Sequence, residues 1–118
     1  MDSTQKRTIT LGGRVFTLGY LPFKKNRIVV PAADFAWKAY RRSLPPELGG
    51  ENQPLNVTAV DNTYLAVFEA VSHADPKVTR DEFDSWGLSL QELGKALMQV
   101  CLQTGVLTQA EKITTGEA

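Results

Sequence analysis

The run "RTITLGGRVFTL", residues 7 to 18, sets the terms on which the rest of the chain can fold. Two β-prone segments flank Gly12 and Gly13, and paired glycines supply the positive φ that a two-residue hairpin turn needs. That register sets Leu11 opposite Arg14, Thr10 opposite Val15 and Ile9 opposite Phe16. Ile9, Leu11, Phe16 and Leu18 then share one face, with Thr8, Thr10, Thr17 and Val15 on the other. A lone hairpin is marginal in water, so this apolar face must dock on helices or on another chain.

Helical periodicity dominates the chain beyond the hairpin. Residues 19 to 31, "GYLPFKKNRIVVP", read as a connector with apolar anchors Leu21, Phe23, Ile28 and Val29, and with room for a short helix from about Phe23 to Val30. Pro31 suits a first helical turn. It opens a predicted helix over 31–44, with Phe35, Ala36, Ala39 and Tyr40 in the stripe and Trp37 off it. "PPELGGENQP", residues 45 to 54, is loop by its prolines and glycines. A second helix is expected over 55–74, with Asn56 as N-cap and a stripe of Val57, Val60, Tyr64, Val67 or Phe68, and Val71. Pro76 disfavours helical geometry in Asp75 and closes it.

Two helix starts then fall ten residues apart in "VTRDEFDSWGLSLQELGKAL". Thr79 with Glu82 and Ser89 with Glu92 each fit the capping box, in which a hydroxyl accepts from the N3 amide and the carboxylate reaches back. They predict a short helix over 79–86 and a longer one over 90–104, with Leu90, Leu93, Leu97 and Val100 or Cys101 on one face and Gly105 as terminator. The expected fold is mainly α, a compact bundle of about three to five helices with a small N-terminal hairpin. It forms a single domain over 1–108, and residues 109–118 are expected to be a flexible tail.

Charge and composition narrow the function. The chain has 118 residues, with thirteen basic and thirteen acidic side chains that cancel. No global field draws it to nucleic acid or to an anionic membrane. No apolar run approaches the ~20 residues that span a bilayer, and "MDSTQKRT" lacks a signal-peptide core. A cytoplasmic location is expected, and the single cysteine, Cys101, agrees with it.

Reactive chemistry is sparse. His73, the sole histidine, sits at a helix end, where imidazole meets terminal carbonyls. Cys101 lies on or beside the apolar face of the last helix, the place of an inert buried thiol. One His and one Cys are too few soft ligands for structural zinc. Asp81, Glu82 and Asp84 read as helix N-terminal charge on a solvated face. "LGGR" lacks the glycines and the Lys-Ser/Thr ending of a phosphate loop. The 79–104 pair has helix-turn-helix spacing, yet its second helix carries one lysine and no arginine where a recognition helix needs basic groups. A basic set, Lys24, Lys25, Arg27, Lys38, Arg41 and Arg42, lies elsewhere without an evident aromatic stacking platform. Neither an enzyme nor a cofactor or metal site is expected. The surplus of apolar and aromatic side chains points to protein binding.

Three segments carry a family resemblance. Residues 9–32 run from hairpin to "LPF" anchor, basic stretch and proline-started helix. Residues 64–106 run from a helix into a "P-x-x-T-x-x-E" helix start, a short turn and a final helix ending in Gly. The terminal "TTGEA" adds a little. In this layout the chain resembles the tail assembly chaperones of long-tailed bacteriophages and prophages. The resemblance implies a non-catalytic protein of the bacterial host cytoplasm that binds the tape-measure protein. It also implies assistance to tail-tube assembly, contact with the tail-tube protein and absence from the mature virion. Self-association stays open; nucleic acid and membrane are not expected partners. The expected mode is helix-in-groove binding, with Phe16, Leu18, Tyr20, Leu21, Phe23, Trp37, Tyr40 and Trp86 as the protein-binding surface. The alternatives are a structural tail or head–tail completion protein retained in the virion, and behind it a small DNA-binding regulator.

Overall fold

The computed structural model describes residues 7–107, so the tail expected over 109–118 lies outside the described residues. Strands β1 (Arg7–Leu11) and β2 (Arg14–Leu18) form an antiparallel hairpin. Its register is the expected one, with Leu11 opposite Arg14 and Ile9 opposite Phe16. Gly12 and Gly13 both take positive φ, 55° and 80°, as a type I′ turn requires. Ile9, Leu11, Phe16 and Leu18 are buried, while Thr8, Thr10, Val15 and Thr17 face outward. Helices α1 (Phe23–Ser43), α2 (Val57–Ala74), α3 (Arg80–Ser85) and α4 (Leu90–Thr104) complete the fold. β1 packs on α4 and β2 on α2, so the hairpin spans two helices.

α1 departs from the sequence reading. It starts at Phe23 and runs unbroken through Pro31, which lies inside it rather than at its first turn. A proline in a helix interior costs about 3 kcal/mol through the lost hydrogen bond and the ring's clash. Burial outweighs that cost. Val29, Ala32, Ala33, Ala36 and Trp37 are all buried, at i, i+3, i+4, i+7 and i+8 across the proline. A fully buried large apolar side chain contributes about 1.5–3 kcal/mol, so Val29 and Trp37 alone offset the break. Pro31 itself points to the exposed side. The unbroken stripe also rotates the helix, so Trp37 faces in and Phe35 out, the reverse of the expectation.

Small side chains let the helices approach. α2 buries Ala59, Thr63, Ala66, Val67, Phe68, Ala70 and Val71, and its expected stripe member Val57 is exposed. Thr63 is the buried polar residue of this face, and its hydroxyl donates to the Ala59 carbonyl at 2.8 Å. Contacts between α1 and α2 run in opposite order along the two helices. Lys25 near the start of α1 pairs with Glu69 near the end of α2 at 2.7 Å, and also meets the Ser72 hydroxyl. α4 also runs against α1, with Cys101 beside the Ala33 carbonyl and Gly94 beneath Tyr40.

The caps define the ends. Asn56 Oδ1 accepts from Ala59 N–H at 2.8 Å, and α2 ends at Ala74 just before Asp75 and Pro76. Between α1 and α2 a 3-10 turn, Pro46–Leu48, interrupts the loop. The chain there doubles back so that Glu51 and Gln53 N–H groups both donate to the Arg42 carbonyl. Gly50 is required at this fold-back, since a Cβ would lie 1.9 Å from the Leu44 carbonyl oxygen. Thr79 Oγ accepts from Glu82 N–H, which is half of the expected box, whereas Ser89 and Glu92 make the full box. Gly105 ends α4 in the left-handed region, and Leu107 N–H reaches back to the Cys101 carbonyl.

Glu92 does more than cap. One carboxylate oxygen accepts from Ser89 N–H, and the other accepts from Gly12 N–H at 3.1 Å. The turn of the hairpin is thereby held on the first turn of α4. These two backbone donors, Gly12 first, lower the Glu92 pKa below the ordinary carboxylate value.

This packing has two measurable outcomes. Pro31→Ala restores a helix donor at an exposed site, so the urea midpoint should rise, by an equivalent of about 1–3 kcal/mol. Glu92→Gln keeps an acceptor for Ser89 but replaces the oxygen facing Gly12 with a donor. The folded-state pKa is depressed, so the stability it carries is present above the unfolded carboxyl value and lost as pH falls through the lowered one. The urea midpoints of wild type and Glu92→Gln should therefore differ near neutrality and converge below pH ~4.

Candidate functional site

A concavity lies between the C-terminal half of α1 and the N-terminal half of α4. Trp37, Tyr40, Arg41 and Leu44 form one wall, and Leu90, Gln91, Gly94, Lys95 and Met98 form the other. Its volume is about 470 Å³, within the range of ligand and side-chain pockets. Leu90, Gly94 and Met98 recur at i, i+4 and i+8, a second stripe on α4 beside the core stripe of Leu93, Leu97 and Val100. Leu90 is exposed, so it belongs to this second stripe rather than to the core face expected for it.

Gly94 shapes the floor. A Cβ there would lie 3.1 Å from the Tyr40 hydroxyl and 3.3 Å from its ring carbon, so the missing side chain lets Tyr40 lie across α4. Burial pushes the Tyr40 phenol pKa up, while the neighbouring Thr63 hydroxyl pulls it partly back. Trp37 is 9% exposed, and its indole N–H has no acceptor among the described residues. The groove offers apolar contact area flanked by two cations, Arg41 and Lys95. That suits an apolar stripe on a partner better than it suits bond chemistry.

The eight residues expected to form the binding surface do not share one face. Phe16, Leu18 and Leu21 are buried in the core, so they serve the hairpin's docking. Trp37 and Tyr40 line the groove. Tyr20 and Phe23 lie at the β2–α1 junction and are 66% and 75% exposed. Trp86 belongs to a separate aromatic cluster. It stacks on Phe16 at 5.8 Å and packs against Phe83 at 5.4 Å, with the Arg14 guanidinium 4.4 Å from its ring. Phe83 also meets Tyr64 and Phe68 edge-on, so α3 ties the hairpin to α2. The expected surface lacks Leu44, Leu90, Gly94, Lys95 and Met98. The i, i+4, i+8 spacing of Leu90, Gly94 and Met98 is the signal in the sequence that could have found them.

The remaining candidates fall on ordinary structural positions. His73 stands in the last turn of α2, half-buried. Asp81, Glu82 and Asp84 are exposed on α3, and Asp84 accepts from the Tyr64 hydroxyl. Burial first, then that hydrogen bond and the Asp84 charge, push the Tyr64 phenol up to about 12. Among the described residues no group of three or more His, Cys, Asp or Glu side chains converges as a metal site would. None of the described helices is long and apolar enough to cross a membrane. No family model, curated protein or solved structure matches the chain.

Cys101 is fully buried, and burial pushes its thiol up to about 12. The thiolate is the reactive form. A chromogenic disulfide reagent should therefore leave Cys101 unmodified in the native protein at neutral pH and react with one thiol per chain in denaturant. Absorbance followed against time checks both.

Proposed function

We propose that the chain is a tail assembly chaperone, a non-catalytic protein that holds an apolar helical stripe of the tape-measure protein and assists tail-tube assembly. The observation that supports this reading is the α1–α4 groove, apolar on both walls and open on a side that the hairpin does not cover. A client helix seated there would bury anchors spaced i, i+3 or i+4 and i+7, as other helix-binding grooves do. Moderate contacts spread over Trp37, Tyr40, Leu90 and Met98 would allow release when tube subunits arrive. The family resemblance of the hairpin and the capped helices gives the client its name.

Co-expression with the tape-measure protein encoded nearby tests this. The client should become soluble and co-purify with the wild-type chain. Leu90→Glu places a charge in the groove at an exposed position and should reduce recovery of the complex by about tenfold while leaving the fold intact. A client that stays insoluble and unbound, with this chain found in purified virions, would move the assignment to a structural tail component.

A further inference from the structure

The charges around the groove are of one sign. Arg41 on one wall and Lys95 on the other are the charged residues that line it. Next to Arg41, Lys38 and Arg42 border an adjoining hollow with Gly49 and one acid, Glu51. Lys24, Arg27, Lys38, Arg41 and Arg42 are all exposed or half-exposed, and at 3.6 residues per turn they fall within an arc of about 100° on α1. The acid on α1, Asp34, is occupied by Lys38 at 3.0 Å. Arg41 and Arg42 form no ion pair among the described residues. The chain carries no net charge, so these cations are balanced by acids elsewhere in it. Asp75, Asp81, Glu82 and Asp84 lie at and before α3 and are not among the residues that line the groove.

We propose that the groove takes an amphipathic helix whose apolar stripe is flanked by acidic residues, seated with those acids against Arg41 and Lys95. This rests on the reading of the groove as a helix-binding site. The wall from Leu90 to Met98 is about 12 Å long at 1.5 Å per residue, so it receives about two turns of a partner. A helix with basic flanks would gain the same apolar contact and meet like charge on both rims. Charge complementarity of this kind selects partners and speeds encounter, and salt weakens it.

The test uses the full chain and three synthetic helical peptides of about 18 residues. They share one leucine stripe and differ only in flanking residues, which are Glu, Gln or Lys. Binding is read by calorimetry and by tryptophan emission, since Trp37 lines the groove. The expected order is Glu over Gln over Lys, with about tenfold between the extremes at low salt and a smaller spread at high salt. Arg41→Glu with Lys95→Glu should invert the order. Arg41→Gln with Lys95→Gln should flatten it, and serves if the first variant does not fold. Equal affinities, no binding of any peptide, or an order unchanged in both variants would overturn the inference. So would random duplex DNA binding as tightly as the Glu peptide. A tape-measure protein that co-purifies while the peptide order is flat would leave the chaperone reading standing and remove this one. The ordered series without co-purification would support this inference and remove the client.

Discussion

The apolar face of the hairpin is the constraint around which the helices are arranged. Ile9, Leu11, Phe16 and Leu18 cannot be covered within the hairpin itself, because a two-stranded ribbon has only one other face and that one is wet. β1 settles on α4 and β2 on α2, which obliges those two helices to lie side by side. α1 then closes the remaining side of both with a stripe of alanines, where small side chains permit close approach. The stacking of Trp86 on Phe16 and the bond from Gly12 N–H to Glu92 fasten the ribbon at its β2 side and at its turn, and Phe83 braces Trp86 against α2. The groove is where the packing of α1 on α4 stops. Gly94 removes a side chain, Tyr40 lies across the gap, and Leu90 and Met98 are left without a helix above them.

Local chemistry makes much of this legible. Paired glycines, alternating threonines and apolar residues specify a hairpin register without help from elsewhere, and the observed pairing is the expected one. Asn56, Ser89 and Gly105 mark helix ends because their side chains, or the lack of one, answer backbone groups within a few residues. The departures in α1 share one physical origin. A boundary at Pro31 divides a stripe that burial makes continuous, and that single step turns Trp37 outward and Phe35 inward. Propensity is worth a few kcal/mol at most, and burial on both flanks exceeds it.

The candidate site is less legible than the fold. Aromatic residues invite assignment to one surface because they are typical interface anchors, but the structure divides them among core, cluster and groove. Phe16 and Trp86 satisfy each other. Tyr40 stays at the groove because the residue opposite is glycine, and Trp37 lines the groove beside it. The second stripe of α4 is present in the sequence, but only knowledge of which helix faces α1 distinguishes it from an ordinary solvated edge. The basic residues are visible as a set. Their gathering on one side of α1 depends on the helix passing through Pro31.

The contact between Gly12 and Glu92 joins positions eighty residues apart. Its consequence concerns the order in which the protein is made. The hairpin leaves the ribosome before the helices, at about 5–20 residues per second; α2 can cover β2, but β1 has no cover until α4, the last described helix, has emerged. Part of the ribbon's apolar face thus stays open until α4 has been made. The closing step joins the first and last described elements, a long-range contact whose loop-closure cost slows folding relative to the local helices. A protein proposed to guard another chain's exposed apolar stripe passes through a comparable condition itself while it is made.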